Sequence, residues 1–111
     1  MNKPFMGGGM PNIQQMLKQA QALQNDIATA EENLKNAVIT SSAGGGMVNV
    51  KMSGTKKLIE IKLNSQVVDP DDIGMLEDLI TAAMAEAYNK AEELHQKTMG
   101  PLTGGKMGLG F

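Results

Sequence analysis

The chain has 111 residues, a formal net charge of −2, ten lysines and no arginine. This length allows one domain, and the mild acidity gives no global attraction to nucleic acid. The absence of cysteine excludes disulfides, thiolate metal sites and thiol nucleophiles. No apolar run approaches the roughly 18 residues that cross a bilayer, and the first ten residues lack an apolar signal core. We therefore expect a cytoplasmic protein with no membrane partner.

The charges are distributed unevenly along the chain. Residues 37–68 carry four lysines against one glutamate, a net charge of +3. Residues 69–93 carry eight acids against one lysine, a net charge of −7. Because charge is separated in this way, a local positive surface is compatible with an acidic protein.

The first predicted element is a long helix. Residues 1–10 are rich in glycine and methionine, so we expect them to be flexible, and the helix to begin with Asn12 as its N-cap. Over residues 13–37 the apolar positions alternate at spacings of three and four, which is a heptad seam on a helix about 36 Å long. A narrow seam favours one facing helix, so we expect a homodimer. The predicted dimer seam consists of Ile13, Met16, Ala20, Leu23, Ile27, Ala30 and Leu34.

Three short segments with alternating or β-branched apolar residues follow this helix. Glycines at 44–46 and at Gly54 mark turns between them, so the pattern predicts an antiparallel meander with one apolar face. The predicted strands lie within residues 38–40, 47–53 and 57–63. The residues expected to face inward are Val48, Val50, Met52, Ile59, Ile61 and Leu63.

The last predicted element is a second long helix. Asp69 is a suitable N-cap, and Pro70 suits the first helical position. The pair Gly100 and Pro101 predicts the end of this helix.

The order of elements predicts an α+β fold, α-β-β-β-α, in which long N- and C-terminal helices flank a three-stranded antiparallel sheet. We expect a single domain at residues 11–100, preceded by the flexible residues 1–10. A flexible glycine-rich tail at residues 101–111 is expected to follow it.

Residues that could perform catalysis are scarce. His95 is the only histidine and has no second soft ligand beside it, which argues against a metal site. The glycines at 44–46 lack the following Lys-Ser/Thr of a phosphate loop and favour a turn. Asp71 and Asp72 are explained by their position in the first turn of a helix. We therefore expect a protein that is not an enzyme and has no cofactor, no metal and no small-molecule substrate.

Lysines are the remaining candidates for a binding function. Lys18 lies on the first helix among three glutamines, whose amides can donate hydrogen bonds to phosphate oxygens. Lys51 and Lys62 have the outward register of their strands. An ordinary solvated surface also explains these lysines. The methionine-rich helical positions are most simply explained by packing, with a protein-binding groove as the alternative.

The chain carries, in order, the segments MGGGM at 6–10, MLKQAQ at 16–21, GGMVNV at 45–50, MLEDLITAA at 75–83 and KAEE at 90–93. Together they resemble the YbaB/EbfC family of nucleoid-associated proteins over nearly the whole chain. The resemblance implies a small bacterial cytoplasmic protein that forms a tweezer-like homodimer. It further implies association with the nucleoid, binding to duplex DNA with weak sequence preference, and effects on DNA conformation or gene expression.

The sequence departs from this family in one important respect. Family members often carry arginine in the last helix and a more basic first helix, whereas this chain has no arginine and an acidic last helix. Bidentate guanidinium contacts to phosphate are therefore excluded, and lysine acts as a point charge. If about four phosphates are neutralised per dimer, the log–log salt slope of binding is about −3.6.

Two functions follow from these observations. The first is a dimer that binds double-stranded DNA through its phosphate backbone. The second is a non-enzymatic adaptor dimer whose methionine-rich helical surface binds recombination or repair proteins, which the acidic last helix favours. The residues that we expect to contact DNA are Lys18, Lys90, Lys97, Lys51, Lys62, Gln14, Gln15 and Gln21.

Overall fold

The computed structural model describes the backbone of residues 2–103 and the side chains of residues 12–103. It is elongated, with principal extents of 85 × 28 × 16 Å. The α-β-β-β-α order and the α+β class are confirmed. The elements are α1 at Asn2–Asn36, β1 at Val38–Ala43, β2 at Val48–Ser53, β3 at Leu58–Leu63, a 3₁₀ turn at Ser65–Val67 and α2 at Ile73–Thr103.

The three strands form one antiparallel sheet in the order β1-β2-β3. The predicted glycine turn joins β1 to β2, and its three glycines have φ angles of 66°, 67° and 92°. These left-handed angles strain any residue that has a Cβ atom. At Gly44 a Cβ would also lie 3.2 Å from both methyl groups of Leu79, so the turn packs directly on α2.

The main core lies between the sheet and α2. Val48, Val50 and Met52 are buried, as predicted, and they pack with three alanines of α2 that recur every four residues. Alanine side chains allow the helix to lie close to the strands. The Ser41 hydroxyl donates a 2.6 Å hydrogen bond to the carbonyl of Ala83, which ties β1 to the same helix. The alanines are Ala83, Ala87 and Ala91.

The inward register predicted for Ile61 and Leu63 is confirmed, but the third strand is exposed rather than buried. Ile59, Ile61 and Leu63 are 53%, 36% and 41% exposed. Ile61 and Leu63 pair with Val50 and Val48, so they do share the apolar face of the sheet. The contacts of α2 with the sheet are mainly with β1 and β2, and β3 extends beyond the helix. Ile59 lies at a register shift in the β2–β3 pairing, where alternation is interrupted.

The N-terminal limit of α1 differs from the predicted one. The helix begins at Asn2, so the predicted start at Asn12 is wrong. Extending an existing helix requires no new nucleus, which explains how a glycine-rich stretch can continue it. The predicted limits of the domain and the flexibility of its ends stay predictions.

The predicted seam of α1 divides into two parts. Ala30 and Leu34 are 6% and 3% exposed and pack with Met99 of α2 in the same chain. Within one chain these two residues are therefore already covered by α2, and their assignment to the dimer interface stays a prediction. Seam residues 13–23 are exposed, and their assignment to the dimer interface also stays a prediction.

Both predicted ends of α2 are displaced. The helix begins at Ile73, where the Asp72 carboxylate accepts a 3.2 Å hydrogen bond from the backbone N–H of Met75 and acts as the N-cap. Asp69 instead holds the preceding turn. At the other end the helix continues through Pro101 to Thr103. Packing of Met99 and Leu102 on α1 outweighs the helix-stop signal, and residues 104–111 lie outside the described part.

Candidate nucleic-acid interface

The first group of candidate residues lies on an exposed part of α1. Every side chain from residue 12 to residue 26 is exposed, and we call this segment the arm. Lys18 lies two residues from both Met16 and Ala20 of the seam. Because successive side chains of an α-helix are rotated by about 100°, the Lys18 side chain points about 160° away from those of Met16 and Ala20. Lys18 and the apolar seam therefore occupy opposite sides of the arm, with Gln14, Gln15 and Gln21 also on the arm.

The second group lies on α2 and contains one lysine with a structural contact. The Lys90 ammonium donates a 2.9 Å hydrogen bond to the backbone carbonyl of Thr40 in β1 and lies 3.6 Å from Glu86. Lys97 follows it by two turns on the same stripe of the helix and is exposed. Among the described residues, no ion pair involves Lys97. Of the two, Lys97 is the one whose charge is free for a ligand.

The third group lies on the face of the sheet opposite α2. Lys51 pairs with Glu60 across β2 and β3, and the two charged groups are 3.5 Å apart. Lys62 lies opposite Asn49 on the neighbouring register position of the same face. The outward registers predicted for both lysines are confirmed. The pairing with Glu60 halves the positive charge of this surface.

A further lysine has a contact that sequence spacing did not reveal. Lys56, in the β2–β3 turn, forms an ion pair with Glu92 of α2, and its ammonium lies 5.2 Å from the centre of the Tyr88 ring. The hydrogen bond from Lys56, joined by one from Gln96, lowers the pKa of Glu92 below its usual value. The same bond raises the pKa of Lys56. These contacts hold the turn against the helix.

An open cleft of about 650 Å³ lies where α1, the β2–β3 turn and α2 meet. His95 lines it together with side chains of both charges. It is therefore not a uniformly cationic site, and sequence could not place it because three separate elements contribute. The charged residues that line it are Glu31, Glu32, Lys35, Lys56 and Lys57.

The candidate residues thus lie on three surfaces: the arm, the β1 side of α2 and the outer face of the sheet. Within the described part of the chain, no group of three or more histidine or acidic residues is arranged to hold a metal ion. Within the same part, no helix is both long and apolar enough to cross a membrane.

The sequence model of the YbaB/EbfC DNA-binding family matches residues 9–107. The chain belongs to the YbaB/EbfC DNA-binding family. Its sequence is 47% identical over 104 residues to a nucleoid-associated protein of Alkaliphilus metalliredigens strain QYMF, covering 93% of this chain and 91% of that protein. It is 44% identical over 106 residues to a nucleoid-associated protein of Saccharopolyspora erythraea, again covering 93% of this chain and 91% of that protein.

A solved structure shares the YbaB/EbfC fold of this chain. An uncharacterized protein of Helicobacter pylori, HP0035, superposes with a TM-score of 0.67 at 23% sequence identity. The match covers 76% of this chain and 88% of the other. At this identity the likeness concerns the fold alone.

Proposed function

We propose that this protein binds duplex DNA through the phosphate backbone, with weak sequence preference, and does so as a homodimer in the cytoplasm on the nucleoid. Its role there would be non-enzymatic, altering DNA conformation or gene expression. Membership of a DNA-binding family supports DNA as the partner, and the names of the relatives support the nucleoid.

The observation that carries the backbone mode is the position of Lys18. It lies on an arm whose side chains are all exposed, with glutamines beside it and, among the described residues, no ion-pair partner. Lysine and glutamine donate to phosphate oxygens and fix a protein on the duplex without reading its sequence. Lys97 provides a second exposed cation, in the C-terminal half of α2. Lys90, Lys51, Lys62 and the three glutamines stay in the proposal as weaker contributors.

The homodimer is supported by an apolar surface that the described residues of one chain leave exposed. We call it the β3 face. It combines the exposed apolar residues of β3 with a stripe of α2 beside a shallow groove of about 550 Å³. Exposed apolar residues on β3 and on this stripe of α2 favour association, and a second copy would cover them symmetrically. The β3 face consists of Leu58, Ile59, Ile61, Leu63, Ile80, Met84 and Tyr88.

The test is fluorescence anisotropy of a labelled random duplex at several salt concentrations, with the wild type and the double variant Lys18→Gln, Lys97→Gln. We expect the variant to bind at least about tenfold more weakly at 50 mM salt. If all four lysines of a dimer contact phosphate, its salt slope is smaller by about 3.6.

The matched control adds the same charge change away from the proposed contacts. Ser65→Asp with Gln66→Glu also lowers the net charge by two, on exposed positions of the 3₁₀ turn. It should keep nearly wild-type affinity. Equal loss in both variants would show that only net charge matters, and no loss in the lysine variant would contradict the backbone contacts.

The second candidate function is an adaptor that binds another protein, with recombination or repair proteins as partners. It is favoured by the charge of −7 over residues 69–93, which repels phosphate, and by the exposed Met16 and Met75, at 61% and 39%. A pull-down from nuclease-treated lysate separates the two functions. Partners retained after nuclease treatment support the adaptor, and partners lost with the DNA support DNA binding.

A further inference from the structure

The arm carries an apolar stripe that no described residue of its own chain covers. Ile13, Met16, Leu17 and Leu23 are 50%, 61%, 62% and 41% exposed. Over residues 12–26 the arm is about 22 Å long at 1.5 Å per residue. The stripe is separate from the β3 face, because it lies on a different helix and belongs to no described core cluster.

The stripe continues directly into a helix–helix contact. Further along the same seam, Ala30 and Leu34 pack with Met99, and Ile27 and Leu102 lie at the edge of that cluster. The seam therefore already accepts a helix over its second half. The 3-4 spacing is unchanged over the exposed half, and this spacing suits a second helix in the same geometry.

The charges of the arm favour a second copy of the arm as its partner. Its only charged side chains are Lys18 and Asp26, so the arm has no net charge. A strongly acidic or basic partner gains no attraction from it, whereas another copy meets no repulsion. In an antiparallel pair centred at residue 18, Ile13 lies at the level of Leu23 of the other copy, and Met16 at the level of Ala20.

We propose that the arm pairs antiparallel with the arm of a second copy and joins two homodimers. Lys18 points away from the seam, so arm pairing leaves it exposed on the outside of the pair. Joined dimers then present lysines on opposite sides and hold two segments of duplex together. The pairing does not require DNA, and the bridging of duplexes rests on the proposed DNA binding.

The first test measures mass by sedimentation equilibrium at concentrations from micromolar to several hundred micromolar. Leu23→Glu places a charge in the seam, and Asn25→Glu places the same charge two residues away on the opposite side of the exposed arm. We expect the wild type and Asn25→Glu to assemble beyond a dimer, and Leu23→Glu to stop at a dimer. A wild type that stays dimeric, or a Leu23→Glu variant that becomes monomeric, would overturn the proposal.

The second test measures bridging. Beads that carry one duplex are incubated with protein and a second, fluorescent duplex, and the captured fluorescence is read beside the anisotropy of each variant. We expect Leu23→Glu to keep its affinity for a single duplex and to lose at least about tenfold in capture. If Leu23→Glu captures as much of the second duplex as Asn25→Glu does, arm pairing is overturned. If none of the proteins, wild type included, binds any duplex, the proposed function is contradicted instead.

Discussion

The Lys90 ammonium lies 2.9 Å from the backbone carbonyl oxygen of Thr40, so this lysine links α2 to the first strand. Lys97, on the same stripe of the helix, has no such contact among the described ion pairs and hydrogen bonds. Two lysines that look equivalent in the sequence therefore differ in their contacts with the rest of the fold. Substitution can distinguish them.

We expect Lys90→Gln to lower the free energy of unfolding by about 1 kcal/mol, since it removes a hydrogen bond between two elements. Lys97→Gln should leave the free energy of unfolding within about 0.5 kcal/mol of wild type. Denaturant unfolding followed by circular dichroism measures both. In DNA titrations the order should reverse, with the larger loss of affinity in Lys97→Gln. The opposite order in either assay would contradict this division of roles.

Gly54 fixes where α1 meets the sheet. A Cβ atom at this position would lie 2.6 Å from the carbonyl oxygen of Leu34, and backbone cannot move aside as a flexible side chain can. Gly54→Ala should therefore destabilise the protein by about 2 kcal/mol.

Gly74 provides the matched control for this substitution. It lies in α2, and a Cβ there would meet nothing within 4 Å. Gly74→Ala should stabilise the helix by about 0.5 kcal/mol. Thermal unfolding of both variants checks the pair. Similar melting temperatures would show that the α1–β2 approach is looser than the structure indicates.

The Lys56–Glu92 pair predicts a pH dependence. The pKa of Glu92 is held below its ordinary value of 4.5, chiefly by the hydrogen bond from Lys56. Its contribution to stability is therefore present above pH 4.5 and is lost as the pH falls through the lowered pKa of the folded state. The pKa of Lys56 is raised above 10.5, so its contribution is lost only as the pH rises through that higher value.

The measurement compares wild type with Glu92→Gln, which keeps the shape and removes the charge. We expect the difference in free energy of unfolding to be constant between about pH 5 and pH 10, because both groups are then charged. The difference should shrink towards pH 3. A difference independent of pH down to that value would mean that the ion pair adds nothing to folding.

The proposed homodimer interface at the β3 face can be tested by placing a charge on it. Ile61→Glu places a charge on an exposed apolar position of β3, so we expect a monomer at concentrations where the wild type is dimeric. Thr40→Glu puts the same charge on the opposite, exposed face of the sheet and should stay dimeric. Light scattering coupled to size exclusion reports both masses. A dimeric Ile61→Glu variant would point to another interface.

Much of the fold follows from local patterns in the sequence. The alternation of Val48, Val50 and Met52 correctly predicted the buried face of β2, because a strand places every second side chain on one side. The glycine run at 44–46 gave the hairpin turn, because its positive φ angles suit residues without a side chain. The 3-4 spacing of α1 gave a helix with a seam. Each of these signals depends on residues a few positions apart.

Which element covers each apolar surface depends on the tertiary structure. Alternation identified the inner side of β3, but only the position of α2 over β1 and β2 shows that Ile61 stays exposed. The seam identified a helix partner, but only the fold shows that α2 fills the end near Leu34 and leaves Met16 free. The contacts of Lys90 and Lys97 differ for the same reason, because only Lys90 lies within reach of the Thr40 carbonyl oxygen. Periodicity specifies the direction in which a side chain points, whereas its neighbours come from distant parts of the chain.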